Sequence, residues 1–248
     1  MNLQGFATWV FDCDGVLLDS NAIKTQAFHE VAVRYGSQAA DSLVAYHVAH
    51  GGVSRYRKFE YLLGDVLGLA VAPGQVEELA SAYGERVSER LMRCAVAPGL
   101  QLLREQLPDA SWMVVSGGAE AELRGVFARR GLDSLFDAGI HGSPATKDEI
   151  LASRLADGTL RRPALFLGDS RYDHEAAMTA GLEFIFVHGW TEFAQWRQYC
   201  EEHAVPAVGA LHELLPGNDG DTWTWASAAL PAGAGTPRTT RSHARKGS

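Results

Sequence analysis

The stretch FDCDGVLLDS (11–20) closes an apolar run that begins at Thr8 and turns at Gly15. In an extended segment, residues two apart point to the same side, so Asp12 and Asp14 share one face. Where the run ends, Gly15 lets the chain turn and both carboxylates look into one crevice. A carboxylate can attack phosphorus when a divalent cation screens the repulsion between the two. A second one, held near the leaving oxygen, can act first as general acid and then as general base. Taken alone, the Asp-Cys-Asp triplet fits two solvated loop aspartates equally well.

Working outward, four short runs read as buried strands: TWVFD (8–12), WMVVS (112–116), ALFLGD (164–169) and FIFVHG (184–189). Each is rich in apolar, β-branched or aromatic residues and ends in a polar or glycine-containing turn. Between them, AEAELRGVFARRG (119–131) and DEILASRLADG (148–158) carry apolar residues three or four apart and close on glycine, as amphipathic helices do. Apolar strands alternating with helices imply a parallel sheet covered on both faces. The expectation is an α/β fold with a Rossmann-like, doubly wound parallel core. Ligands in such sheets bind at the carboxyl ends of the strands, where Asp12, Asp14, Ser116 and Asp169 fall. Residues 16–95 break the rhythm. They read as mostly helical, with IKTQAFHEVAVRYG (23–36) and VEELASAYGERVSERLMRC (76–94), and Pro98-Gly99 marks the return. This segment is expected to be an inserted α-helical cap over the site, leaving 1–15 and 96–216 as the core. Residues 217–248 are rich in Gly, Ala, Ser, Thr and Pro and lack periodicity, the composition of a disordered tail. Within it, Trp223 and Trp225 offer apolar area for docking on the core.

Three further elements carry chemistry. In VVSGG (114–118), Ser116 can donate to a phosphoryl oxygen, and neighbouring amides add donors at a helix start. The same serine also suits a plain helix N-cap. Lys147, in SPATKDEI (143–150), begins a helix, where the dipole disfavours a cation. That placement suggests a carboxylate partner such as Asp12, or a phosphate, against an ordinary exposed lysine. In GDSRYDHEAA (168–177), Asp169 and Asp173 lie four apart after a strand. Magnesium prefers oxygen ligands in octahedral geometry and keeps some waters. Asp169 can bind it directly and Asp173 through water, unless the segment is simply a capped loop entering a helix.

Composition sets the bounds. Of 248 residues, 46% are hydrophobic and 21% charged, the balance of a globular protein. No apolar run reaches roughly 18 residues, so no membrane span is expected. The N-terminus lacks a basic segment followed by a long apolar one, so no secretory signal is expected. Cys13, Cys94 and Cys200 are scattered and form neither a metal cluster nor a disulfide framework, which fits a reducing cytoplasm. The net charge is -8; residues 217–248 carry four basic and two acidic residues, +2, so residues 1–216 carry -10. An acidic body argues against nucleic acid as a partner. It leaves room for a small phosphorylated metabolite, because a metal ion and one or two lysines reverse the sign locally.

Taken in order, the four motifs resemble those of the haloacid dehalogenase superfamily: Asp12-Cys13-Asp14-Gly15, Ser116, Lys147, and Gly168-Asp169-Ser170 through Asp173. The resemblance spans about residues 8–190, and the helical insertion is similar to that of the phosphoglycolate phosphatase-like group. It implies a Mg2+-dependent phosphatase that works through an aspartyl-phosphate. Asp12 would be nucleophile and metal ligand, and Asp14 the general acid/base with its carbonyl on the metal. Ser116 and the Gly117 amide would bind the transferring phosphoryl group. Lys147 would neutralise charge, Asp169 would ligate the metal, and Asp173 would support it. Asp14 fits phosphatases and phosphomutases; dehalogenases, phosphonatases and transport ATPases usually lack an acid there. DSNAIKTQAF (19–28) resembles the cap entry of sugar phosphomutases, which tend to carry histidine where this chain has Lys24. A non-catalytic scaffold is the other alternative, although such chains usually lose a nucleophile or metal ligand and none is lost here. For the substrate, HGGVSRYRKFEYLLG (50–64) supplies a Gly51-Gly52 loop followed by Arg55, Arg57 and Lys58. Arg55 is the expected substrate contact, through its planar fork, joined by Asn21 and Lys24. A sugar phosphate, an acidic sugar phosphate and phosphoglycolate all satisfy this reading, which does not fix the oligomeric state.

Overall fold

A computed structural model describes residues 3–215; the expected tail, with Trp223 and Trp225, lies outside the described residues. Six strands form one sheet: β1 Thr8–Phe11, β2 Ser111–Ala119, β3 Ile140–Ser143, β4 Ala164–Gly168, β5 Glu183–Val187 and β6 Ala207–Val208. Their order is β3-β2-β1-β4-β5-β6, with every pairing parallel. The four apolar runs became β1, β2, β4 and β5, the inner strands. The two unanticipated strands are the edges. β3 reads Ile-His-Gly-Ser, too short and polar to announce itself, and β6 has two residues.

β1 lies in the middle of the sheet and is buried along its whole length. Its alternation divides the core. Trp9 and Phe11 face one layer with Trp112, Leu103 and Phe127, while Val10 faces the other with Met113, Phe166 and Leu151. The first layer is covered by helices α5 Leu100–Gln106 and α6 Glu120–Arg129, the second by α7 Lys147–Ala156, α8 Arg171–Thr179 and α9 Trp196–His203.

Between β1 and β2 run α1 Asn21–Ala32, α2 Ser37–Ala49, α3 Arg55–Tyr61 and α4 Gln75–Leu91, with a π-turn at Leu62–Val66. Glu77 and Glu78 in the first turn of α4 and Arg90 in its last complement the helix dipole. These helices close on an aromatic centre. Phe28 packs 4.4 Å from Tyr83 and 5.4 Å from Phe59, ring centroid to centroid. Emptying such a position, as in Phe28→Ala, costs about 3–5 kcal/mol. The two crossings to the sheet run side by side. The Asp19 N–H donates to the Ala95 carbonyl (3.0 Å) and the Ala97 N–H to that of Leu17 (2.9 Å). Among the described residues, no helix is long and apolar enough to cross a membrane.

Candidate active site

β1 ends at Phe11, and β4 holds the next residue in place through the Asp12 N–H, which donates to the Leu167 carbonyl (2.9 Å). The chain then turns on Gly15, whose φ of 77° suits glycine. A Cβ there would sit 2.1 Å from Asp169 Oδ2 and 2.4 Å from Asn21 Nδ2. The turn thus brings Asp12 and Asp14 to the carboxyl end of the sheet, where both line one cavity of about 390 Å³.

The next two contributors are positioned by helix caps. Thr146 caps α7: its Oγ1 accepts the Glu149 N–H, and Glu149 Oε2 accepts the Thr146 N–H. Ser170 and Asp173 make the same reciprocal cap on α8. Lys147 is therefore the first residue of α7, where its charge opposes the dipole. It is buried between two carboxylates, donating to Asp12 Oδ1 at 2.7 Å and to Asp173 Oδ1. Gly168 makes the approach possible, since a Cβ on it would lie 2.3 Å from that of Asp173.

Ser116 does not cap a helix. β2 runs on to Ala119, and four steps of it, 115 to 119, pass two of β3, 141 to 143. This bulge throws Ser116, Gly117 and Gly118 out of the ladder. The buried Ser116 Oγ accepts the Gly118 N–H at 3.0 Å, while Gly117 and Gly118 line the cavity. From the other side comes the Gly51-Gly52 loop. A Cβ on Gly117 would lie 2.1 Å from the Gly52 carbonyl oxygen, and one on Gly52 3.4 Å from Lys147 Nζ.

Asp12, Asp169 and Asp173, all buried, each offer a carboxylate oxygen within 4.8 Å of the others. Asp173 has both oxygens engaged, by Lys147 and by Ser170. Asp12 and Asp169 each keep one oxygen without a hydrogen bond among the described residues. The Asp14 carboxylate is turned elsewhere, accepting from Ser20 Oγ (2.6 Å) and Lys24 Nζ.

Electrostatics follow from this crowding. Burial pushes Asp12 up to about 7 against the pull of Lys147, and Asp173 and Asp14 add to the rise. Burial, then Asp12 and Asp173, hold Asp169 well above the usual carboxylate range. Lys147 keeps its proton: burial opposes the charge, but Asp12 and Asp173 outweigh it. For Asp14 burial is likewise outweighed, here by Lys24 and by hydrogen bonds from Lys24 and Ser20, and its carboxyl stays below the ordinary value. Four carboxylates face two ammonium groups. An all-oxygen donor set with surplus negative charge fits a hard divalent cation.

The residues expected at the substrate are arranged differently. Arg55 opens α3 and lines the cavity, yet its guanidinium is committed to α6. Nη2 donates to Glu122 Oε1 (2.5 Å) and Nη1 to Oε2 (3.1 Å), with the Tyr83 ring centroid 4.5 Å from Cζ. Asn21 donates to Asp169 Oδ2 (2.7 Å) and to the Trp190 carbonyl (2.9 Å), so it orients a carboxylate. Thr191 holds the same residue from behind, its Oγ1 donating to the Asp169 carbonyl at 2.6 Å. Lys24 is paired with Asp14. Sequence reasoning missed Glu122, Tyr83 and His47, and gave Lys58 no special place. The usable signal was the three-residue spacing of Arg55 and Lys58, which puts both on one face of α3; Arg57, off that face, is exposed.

The family model for haloacid dehalogenase-like hydrolases matches residues 9–187, and the chain belongs to that family. Within it the chain is a phosphatase, a phosphoric monoester hydrolase. A phosphoglycolate phosphatase from Rhodobacter capsulatus is 26% identical over 223 residues, covering 87% of this chain and 97% of that one. A putative haloacid dehalogenase-like hydrolase from Bacteroides fragilis shares the fold with a TM-score of 0.64 at 20% identity, over 85% of this chain and 100% of its own. A β-phosphoglucomutase from Clostridium difficile does so with a TM-score of 0.65 at 15% identity, over 84% and 93%.

Proposed function

We propose that the chain is a cytoplasmic, Mg2+-dependent phosphatase of a small phosphorylated metabolite, a sugar phosphate or a phosphoglycolate-like ester. The observation that carries this is Lys147 locked between Asp12 and Asp173 beneath a roof of Gly52 and Gly117. Residues 16–95 would serve as the cap, over a core of 1–15 and 96–216. Asp12 and Asp169 would hold the cation directly, with the Asp14 carbonyl and Asp173 in support. When bound, the cation supplies charge screening at the phosphoryl oxygens.

This chain's own residues account for the rest. Asp12 attacks phosphorus, the ester oxygen leaves, and an aspartyl-phosphate forms on Asp12. Asp14 protonates the leaving oxygen and later takes a proton from the water that cleaves the acyl phosphate. Its partners Lys24 and Ser20 favour the anion, the form the second step uses. Ser116 and the Gly117 amide hold the phosphoryl oxygens, and Lys147 offsets their charge. Most of the catalysis is positioning and electrostatics, as phosphoryl transfer requires.

The test is hydrolysis of an aryl phosphate with and without magnesium, by wild type and by Asp12→Asn. Metal-dependent release of phosphate, lost in the variant while the circular dichroism stays unchanged, is expected. Wild-type rates in Asp12→Asn would refute the assignment.

A further inference from the structure

Helices α1 and α3 bring three basic side chains to the cavity wall: Lys24, Arg55 and Lys58. Two are matched by carboxylates, Lys24 by Asp14 and Arg55 by Glu122. Lys58 is 2% exposed and has no carboxylate within ion-pairing distance among the described residues. Its Nζ donates to His47 Nδ1 at 2.6 Å and lies 5.4 Å from the Phe28 ring centroid. A lysine is rarely buried without a counter-charge, because removing an ammonium from water costs several kcal/mol.

The histidine carries the argument further. With Nδ1 accepting from Lys58, the neutral ring bears its proton on Nε2, and that buried nitrogen has no hydrogen-bond partner. Burial, then the charges of Lys58 and Lys24, hold His47 well below its ordinary value, in the neutral form. Both residues line the cavity. One wall therefore carries donors in excess and lacks an acceptor, a shortage that an anionic ligand would fill.

We infer that Lys58, oriented by His47, binds a second anionic group on the part of the substrate that leaves, so that the preferred ester carries a carboxylate or another acidic group besides its phosphate. This rests on the phosphatase reading and narrows it. Lys147 and the bulge at Ser116 serve the phosphoryl end, and Lys58 the far end. Because Lys24 and Arg55 are already neutralised, the charge preference falls on Lys58.

The test separates binding from turnover. Phosphonoacetate and 3-phosphonopropionate carry a carboxylate, whereas ethylphosphonate and propylphosphonate do not, and a C–P bond offers no ester to hydrolyse. Each is titrated calorimetrically, with magnesium, into the full-length protein and into Lys58→Met. Met fills the lysine stem and removes the buried charge, so the fold is expected to hold; Lys58→Gln serves as a second variant. At least one acid should bind wild type about 10- to 100-fold tighter than its neutral partner, the range of a charge-assisted hydrogen bond. In either variant that advantage should collapse to under about threefold, with the alkylphosphonates little changed. Equal binding of acids and neutral compounds by wild type would overturn the inference, as would an advantage that survives both substitutions. If aryl phosphates are not hydrolysed but the preference and its loss are seen, the phosphatase reading falls and the anion site stands.

Discussion

The pair Arg55–Glu122 joins α3 to α6 across 67 residues of chain and is the contact whose removal reads most clearly. Arg55 is buried and Glu122 half-buried, at 6% and 13% side-chain exposure, and the bond is bidentate. Glu122→Gln keeps the shape and removes the charge, leaving a buried guanidinium with one acceptor. Breaking a buried pair in this way costs about 3–5 kcal/mol, and the retained amide oxygen puts the expected loss near about 3 kcal/mol. Arg55→Met leaves Glu122, the more exposed partner, and forfeits the contact with the Tyr83 face, about 0.5–2 kcal/mol. The double variant has no stranded charge, so it should be more stable than Glu122→Gln alone. Urea unfolding of all four proteins, followed by circular dichroism, gives the coupling directly. A value of about 2 kcal/mol or more is expected. Additivity within about 0.5 kcal/mol would refute the reasoning and return Arg55 to the role of a substrate contact.

Three further outcomes are expected. Asn21→Ala should weaken magnesium activation of aryl-phosphate hydrolysis about 10- to 100-fold, as loss of a residue that orients a metal ligand does, with kcat at saturating metal less affected. Exhaustive chelation should abolish turnover and calcium should not restore it, because calcium accepts more ligands than the attack geometry tolerates; full activity after chelation would contradict the metal assignment, and full activity in calcium the demand for octahedral geometry. Lys58 gives a stability signature. Burial first, with Lys24 and Lys147 adding and Asp14 and Glu192 opposing, brings it down to about 7 from 10.5, while the neighbouring His47 stays neutral. Between those values the unfolded chain binds the extra proton, so this contribution rises with pH and the penalty is fully present below about 7. Lys58→Met should therefore gain on wild type at pH 6, and the gap should close by up to roughly 3 kcal/mol between pH 7 and 9 in urea titrations; a gap independent of pH would refute the burial argument.

The parts of the fold legible in the sequence are those where burial forces composition. β1 and β4 must be apolar on both faces, and their ends are marked by Asp12 and Asp169. β3 and β6 escaped because edge strands this short need no such pattern. The placement of Asp12, Lys147 and Asp173 together could be read because it depends on local turns and caps. The contacts of Arg55, Asn21 and Lys58 could not, because a long polar side chain chooses its partner by tertiary proximity: Glu122 lies 67 residues from Arg55, and Asp169 148 from Asn21. Ser116 reads in the sequence as lying where a strand ends and a helix opens, with a plain helix cap as the alternative; a bulge within β2 stands there instead.

The meeting of Gly52 with Gly117 constrains what natural variation can do to this pocket. There the ceiling over Lys147 is main chain against main chain, and a point mutation finds nothing to exchange except a glycine whose replacement would collide with a carbonyl. Phe28, His47, Lys58 and Tyr83, which line the same cavity, carry side chains that can each be swapped within the limits of packing. One part of the lining is thus conservative by construction and the other is editable. Lineages sharing this architecture should diverge in what they cleave by altering those side chains while the reacting end stays as it is.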